Sequence, residues 1–139
     1  MSMTFTRDLD PLTSSGLELE DPTKDLRGRE ALDRDGESVG TVAELLIDPT
    51  LRIPRLAVVE GGGGLLGIGK KHYLVPMEAI GQDDGQTVRI SRIKDEILAE
   101  SEYHASEGEE EELQYAQAYQ AYGIRPYWEE APVENRSTT

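Results

Sequence analysis

The stretch Val59–Pro76, VEGGGGLLGIGKKHYLVP, decides the fold class of this chain. Its glycines satisfy two nucleotide-binding patterns at once: Gly64–Lys70 fits G-x-x-x-x-G-K, and Gly62–Gly67 fits G-x-G-x-x-G. Both patterns need a helix directly after the loop, because the helix N-terminus supplies the amides and the dipole that hold phosphate. Here Lys71 stands where a phosphate loop places Ser or Thr for magnesium, and HYLVP is strand-like and reaches Pro76 too soon for two helical turns. The stretch therefore reads as a glycine-rich connection feeding a strand, and a nucleotide-binding enzyme stays only as an alternative.

Working outward, the neighbouring segments are strands too. Asp33–Gly36 is a turn, Val39, Thr41 and Ala43 alternate before Leu45, Leu46 and Ile47, and Asp48-Pro49-Thr50 is a second turn. Ile53–Glu60 is rich in β-branched and aliphatic residues, and Asp83-Asp84-Gly85 separates Tyr73–Val75 from Thr87–Ile93. Short strands with a turn signal between each pair describe a small antiparallel barrel over residues 24–93, mainly β, with no useful helix between Arg29 and Ile93. Residues 1–23 lack a sustained period and read as a flexible arm whose order must come from docking. Residues 94–139 read as a short helix start at Ile93–Leu98, an acidic link, a helix over about 109–122 and an aromatic tail. Ser106 and Glu109 have capping-box spacing, and Gly123 is placed to end the helix.

Composition narrows the function. The 139 residues hold no cysteine, so disulfides and thiolate chemistry are excluded, and no apolar run is long enough to span a membrane. A soluble, cytoplasmic protein is expected. The formal charge of −14 is uneven: residues 1–23 carry 1 basic and 5 acidic groups, 24–93 carry 10 and 11, and 94–139 carry 3 and 12. Acidic ends favour solubility and repel phosphate backbones.

Other motifs are weak. Gly36-Glu37-Ser38-Val39-Gly40 matches the nucleophile elbow, but that elbow needs a strand ending at the serine, whereas Ser38 should begin one. Asp33, Asp35 and Gly36 resemble the start of a calcium loop without its later glutamate, and His72 and His104 have no partner ligand. No catalytic residue, metal or cofactor is expected. Lys70, Lys71 and His72 form a basic cluster that could touch a phosphate or an acidic partner, and Arg27, Arg29, Lys70 and Lys71 are the candidate contacts for RNA. Tyr115, Ala118, Tyr119 and Tyr122 share a helix face, followed by Tyr127 and Trp128. This aromatic set either packs on its own barrel or forms a hook for a partner.

Leu26–Ile80 resembles a PRC-barrel domain, the family named for the cytoplasmic part of the photosynthetic reaction-centre H subunit and found in a ribosome maturation factor. The points of similarity are D-x-D-G at Asp33–Gly36, V-G-x-V at Val39–Val42, Asp48 ending the long strand, G-I-G-K-K after the glycine loop, and Val75-Pro76 before Ile80. The resemblance implies a small β-barrel used for docking, with Gly36, Gly40, Asp48 and Pro76 as structural positions and no catalytic motif to carry over. The expected function is a non-enzymatic interaction module binding another protein or a second copy of itself, through the barrel edges or Lys70, Lys71, Tyr115, Tyr119, Tyr122, Tyr127 and Trp128. A ribosome- or RNA-associated factor is the alternative.

Overall fold

The structure is a computed structural model that describes residues 8–61, 70–82 and 84–129. Its frame is one curled sheet. The strands are β1 Asp10–Pro11, β2 Glu30–Leu32, β3 Ser38–Asp48, β4 Ile53–Gly61, β5 Lys71–Pro76, β6 Ile80–Gln82 and β7 Thr87–Ile90. They are ordered β5-β4-β3-β2-β7-β6, and β1 pairs with β3 beside β2. The pairing is antiparallel as expected of the small barrel, apart from β2 and β7, which run parallel and are joined through Glu30–Thr87, Ala31–Val88 and Leu32–Arg89.

Bulges give the sheet its curl. Along β3 and β4, Val42 faces Val59 and Glu44 faces Val58, so Ala43 is an extra residue; Leu46 faces Leu56 and Ile47 faces Pro54, so Arg55 is another. Such insertions bend a strand and steepen its twist. Ala57, Val59 and Val75 point into the curl with Leu45, Ile47, Val88 and Ile90. Leu56, Val58 and Leu74 alternate with them and face outward, forming a second apolar cluster with Leu46.

The two strand-linking turns explain the two buried carboxylates. Asp33 Oδ1 accepts from the N–H groups of Asp35 and Glu37, each at 2.8 Å, and Gly36 takes the left-handed φ of 93° that the turn requires. Asp33 Oδ2 accepts from Lys94 N–H at 2.8 Å, tying the turn to the start of helix α2, Lys94–Leu98. Asp48 Oδ1 likewise accepts from Thr50 and Leu51 N–H, both at 2.9 Å.

Burial alone would raise the Asp33 carboxyl, but the backbone N–H groups of Glu37, Lys94, Asp35 and Gly36 hold it below the ordinary carboxylate range. Asp84 is lowered as well, by the N–H groups of Gln86 and Thr87. A carboxyl depressed in the folded state stabilises it fully above the unfolded value of about 4, and that contribution disappears as pH falls through the folded value. Thermal midpoints should therefore be flat with pH above this range and fall below it. Asp33→Asn, whose amide would face the Lys94 N–H donor to donor, should lower the midpoint at neutral pH and flatten its acid dependence.

Residues 8–23, part of the arm whose order was expected to come from docking, lie docked on the sheet. Asp10 and Pro11 pair with Ile47 and Leu46, Thr13 N–H and Oγ1 both donate to Glu44 Oε1 at 3.1 Å, and Leu12 and Leu19 lie in the barrel core while Leu9 joins the outer cluster. The short helix α1, Leu12–Ser15, sits between these anchors. Single leucines dock an irregular segment without giving it a period. Residues 1–7 lie outside the described range, as do Gly62–Gly69 and the last ten residues, Glu130–Thr139.

Candidate interaction site

The long terminal helix α3, Gly108–Tyr122, lies against the outer face of the sheet. Tyr115, Tyr119 and Tyr127 are 2%, 0% and 1% exposed. These three are therefore not a free hook: their rings cover Leu46, Leu56, Val58 and Leu74. Tyr119 hydroxyl donates to the carbonyl of Arg55 at 3.3 Å, using the residue that the bulge leaves out of the ladder. The Arg55 guanidinium sits 4.7 Å over the Tyr127 ring, and its Nη2 is 3.9 Å from Asp48 Oδ2. Tyr119, Tyr127 and Trp128 meet edge to face with centroids 5.1–6.1 Å apart.

The entry to α3 differs from a capping box. Its N-cap is Glu107, without a side-chain cap, and Ser106 instead donates through N–H and Oγ to Glu111 Oε1 at 2.8 and 3.1 Å. Glu111 Oε2 accepts the Tyr103 hydroxyl at 2.6 Å. The same carboxylate therefore holds the link and the helix together. Burial, then this carboxylate, push the Tyr103 and Tyr115 hydroxyls far above the ordinary tyrosine range. Burial raises the Tyr122 hydroxyl to about 12 despite the Arg92 guanidinium 5.0 Å from its ring centroid.

Between α3 and the barrel the link leaves a groove of about 290 Å³. Leu74 and Ala118 form its floor, Tyr103 and Tyr122 its aromatic walls, and Glu102 and Gln117 part of its rim. Tyr103 N–H donates to the carbonyl of His72 at 2.8 Å, so the link crosses the outer edge of β5 there. Since backbone groups alternate in direction along an antiparallel strand, the missing N–H of Pro76, four residues on, falls on this same edge. Of Tyr115, Tyr119 and Tyr122 on the aromatic face, Tyr122 is the one that lines the groove. Sequence reasoning missed Glu100–Tyr103, whose sole signal was an aromatic residue in a polar link.

The basic residues do not assemble into a patch. Arg27 is held by Asp25 at 2.7 Å, with Thr13 at 2.9 Å, and Arg29 reaches the carbonyl of Asp84 at 3.5 Å. Lys70 Nζ and His72 Nε2 lie 3.9 and 3.3 Å from the Glu60 carboxylate. Lys71 is exposed opposite Gly61. The peptide after Lys70 is a strand, so no helix N-terminus follows the glycines, and Ser38 begins β3 where a nucleophile elbow needs a strand to end. No group of three or more His, Cys, Asp or Glu among the described residues is arranged to hold a metal.

A curled sheet with bulged central strands and a helix on its outer face defines a small β-barrel domain. The PRC-barrel domain family matches this chain over residues 20–100, and the chain belongs to that family. No curated protein matches it. Among the described residues, no helix is long and apolar enough to cross a membrane.

Proposed function

We propose that the chain is a non-enzymatic docking module that binds a partner protein or a second copy of itself, in the cytoplasm. One observation carries this reading. The buried charged side chains among the described residues, Asp33 and Asp48, serve as turn acceptors: both oxygens of Asp33 and Oδ1 of Asp48 take backbone N–H groups, and Asp48 Oδ2 lies 3.9 Å from Arg55 Nη2. One accessible feature is the groove over Leu74 and α3, which combines the apolar Leu74 and Ala118 with the polar Glu102 and Gln117, a mixture of the kind that recognition sites use. Pairing of Arg27 with Asp25, and of Lys70 with Glu60, weighs against the RNA-associated alternative, since paired cations release few counterions from nucleic acid.

The test uses the full chain. Sedimentation velocity over a wide concentration range should reveal self-association, or affinity capture should return a stoichiometric partner that excess free chain displaces. A chain that stays monomeric and captures nothing displaceable would refute the proposal.

A further inference from the structure

We infer that the groove between β5, the Glu100–Tyr103 link and α3 seats an arginine side chain presented by a basic segment of a partner protein. The inference rests on the docking-module reading and adds the chemistry of the partner. Leu74 and Ala118 give an apolar floor for the aliphatic stem, and the Tyr103 and Tyr122 rings wall it. Glu102, a third exposed in its side chain, supplies a carboxylate, and the exposed Gln117 amide supplies a further oxygen acceptor. Two carboxylates border the groove: Glu100 is already paired with Arg92 at 2.9 Å, while Glu102 lies 3.5 Å from the exposed His104 and near enough to Tyr73 to add to the burial that raises its hydroxyl.

The chain uses the same recognition chemistry twice within itself. Arg92 lies over Tyr122 while bonding Glu100, and Arg55 lies over Tyr127 near Asp48. A guanidinium between a ring and a carboxylate is thus the local solution, and the groove offers Tyr103 and Glu102 for a third. Arginine fits better than lysine because its flat, weakly hydrated cation stacks on a ring while donating sideways. The net charge of −14 adds a long-range field that draws basic segments in.

The experiment titrates the isotopically labelled full chain with the capped peptide Gly-Ser-Arg-Gly-Arg-Ser-Gly and follows backbone amide shifts. Saturable shifts at Leu74, Tyr103, Gln117 and Ala118 are expected. A citrulline version of the peptide, which keeps shape and loses charge, should bind at least about fivefold more weakly, as should the Glu102→Gln variant. Equal binding of the citrulline peptide, unchanged binding by Glu102→Gln, or unsaturable shifts confined to Glu109–Glu112 would each overturn the inference. Tyr103→Leu gives an independent check on the ring. A chain that self-associates or captures a partner yet ignores the peptide loses only this inference; one that does neither loses the docking reading as well.

Discussion

Replacing Gly40 with alanine is expected to lower stability by about 3 kcal/mol, near the upper end for an added methyl group in a packed interior. Gly40 faces Gly61 across β3 and β4. A Cβ on Gly40 would overlap the carbonyl oxygen of Glu60 and stand 2.8 Å from both the Glu60 carbonyl carbon and Gly61 Cα. All three are backbone atoms, so no side chain can rotate away and one strand must move. A Cβ on Gly61 would overlap the carbonyl oxygen of Val39 in return, so Gly61→Ala should be damaging for the same reason. The glycine of V-G-x-V therefore serves strand contact here rather than a turn. Gly81→Ala, where an added Cβ meets nothing within 4 Å, is the control and should stay within about 0.5 kcal/mol. Urea denaturation midpoints decide the matter: equal values for Gly40→Ala and Gly81→Ala would mean the two strands are not in that close register.

Strands β3, β4, β5 and β7 and the turns flanking β3 were legible because their signals are local, whereas β1 and β6 were not expected. Asp33–Gly36 and Asp48–Thr50 carry the side chains that close those turns, and the extended run after Lys70 follows from Pro76 and the apolar texture before it. The parallel pairing of β2 with β7 was not legible, since it joins residues more than fifty apart with no local mark. The docked N-terminal leucines escaped for a similar reason. A clue to the covered outer face was present in Leu45-Leu46-Ile47 and Leu56–Val59, where apolar runs replace alternation, as they do in strands buried on both sides. The tyrosines were placed on the right helix face, and burial decides between the two roles open to them. The groove was invisible in sequence because Leu74, Tyr103 and Ala118 converge only after α3 has folded back.

Ending the chain at Glu107 is expected to do more than remove a tail. It uncovers Leu46, Leu56, Val58 and Leu74, which are at most 8% exposed in the folded chain. Burial of a side chain of that size is worth about 1.5–3 kcal/mol, and four together rival the whole stability of a small domain, on the order of 5–15 kcal/mol. The shortened chain should therefore fail to persist as a folded monomer, giving aggregates or self-associated species in light scattering and a broad, uncooperative melt. Point variants separate the helix's inner face from mere length. Tyr119→Ala removes a fully buried ring and its bond to Arg55, and should cost about 3–5 kcal/mol. Leu113→Ala, on the same helix but 57% exposed, should change stability by no more than about 0.5 kcal/mol. If the chain ending at Glu107 melted as a cooperative monomer near the full-length midpoint, α3 would be an accessory and its tyrosines would be free for a partner. The burial of Tyr115, Tyr119 and Tyr127 argues the reverse: the helix is one wall of the domain, and any partner meets the barrel with α3 already in place.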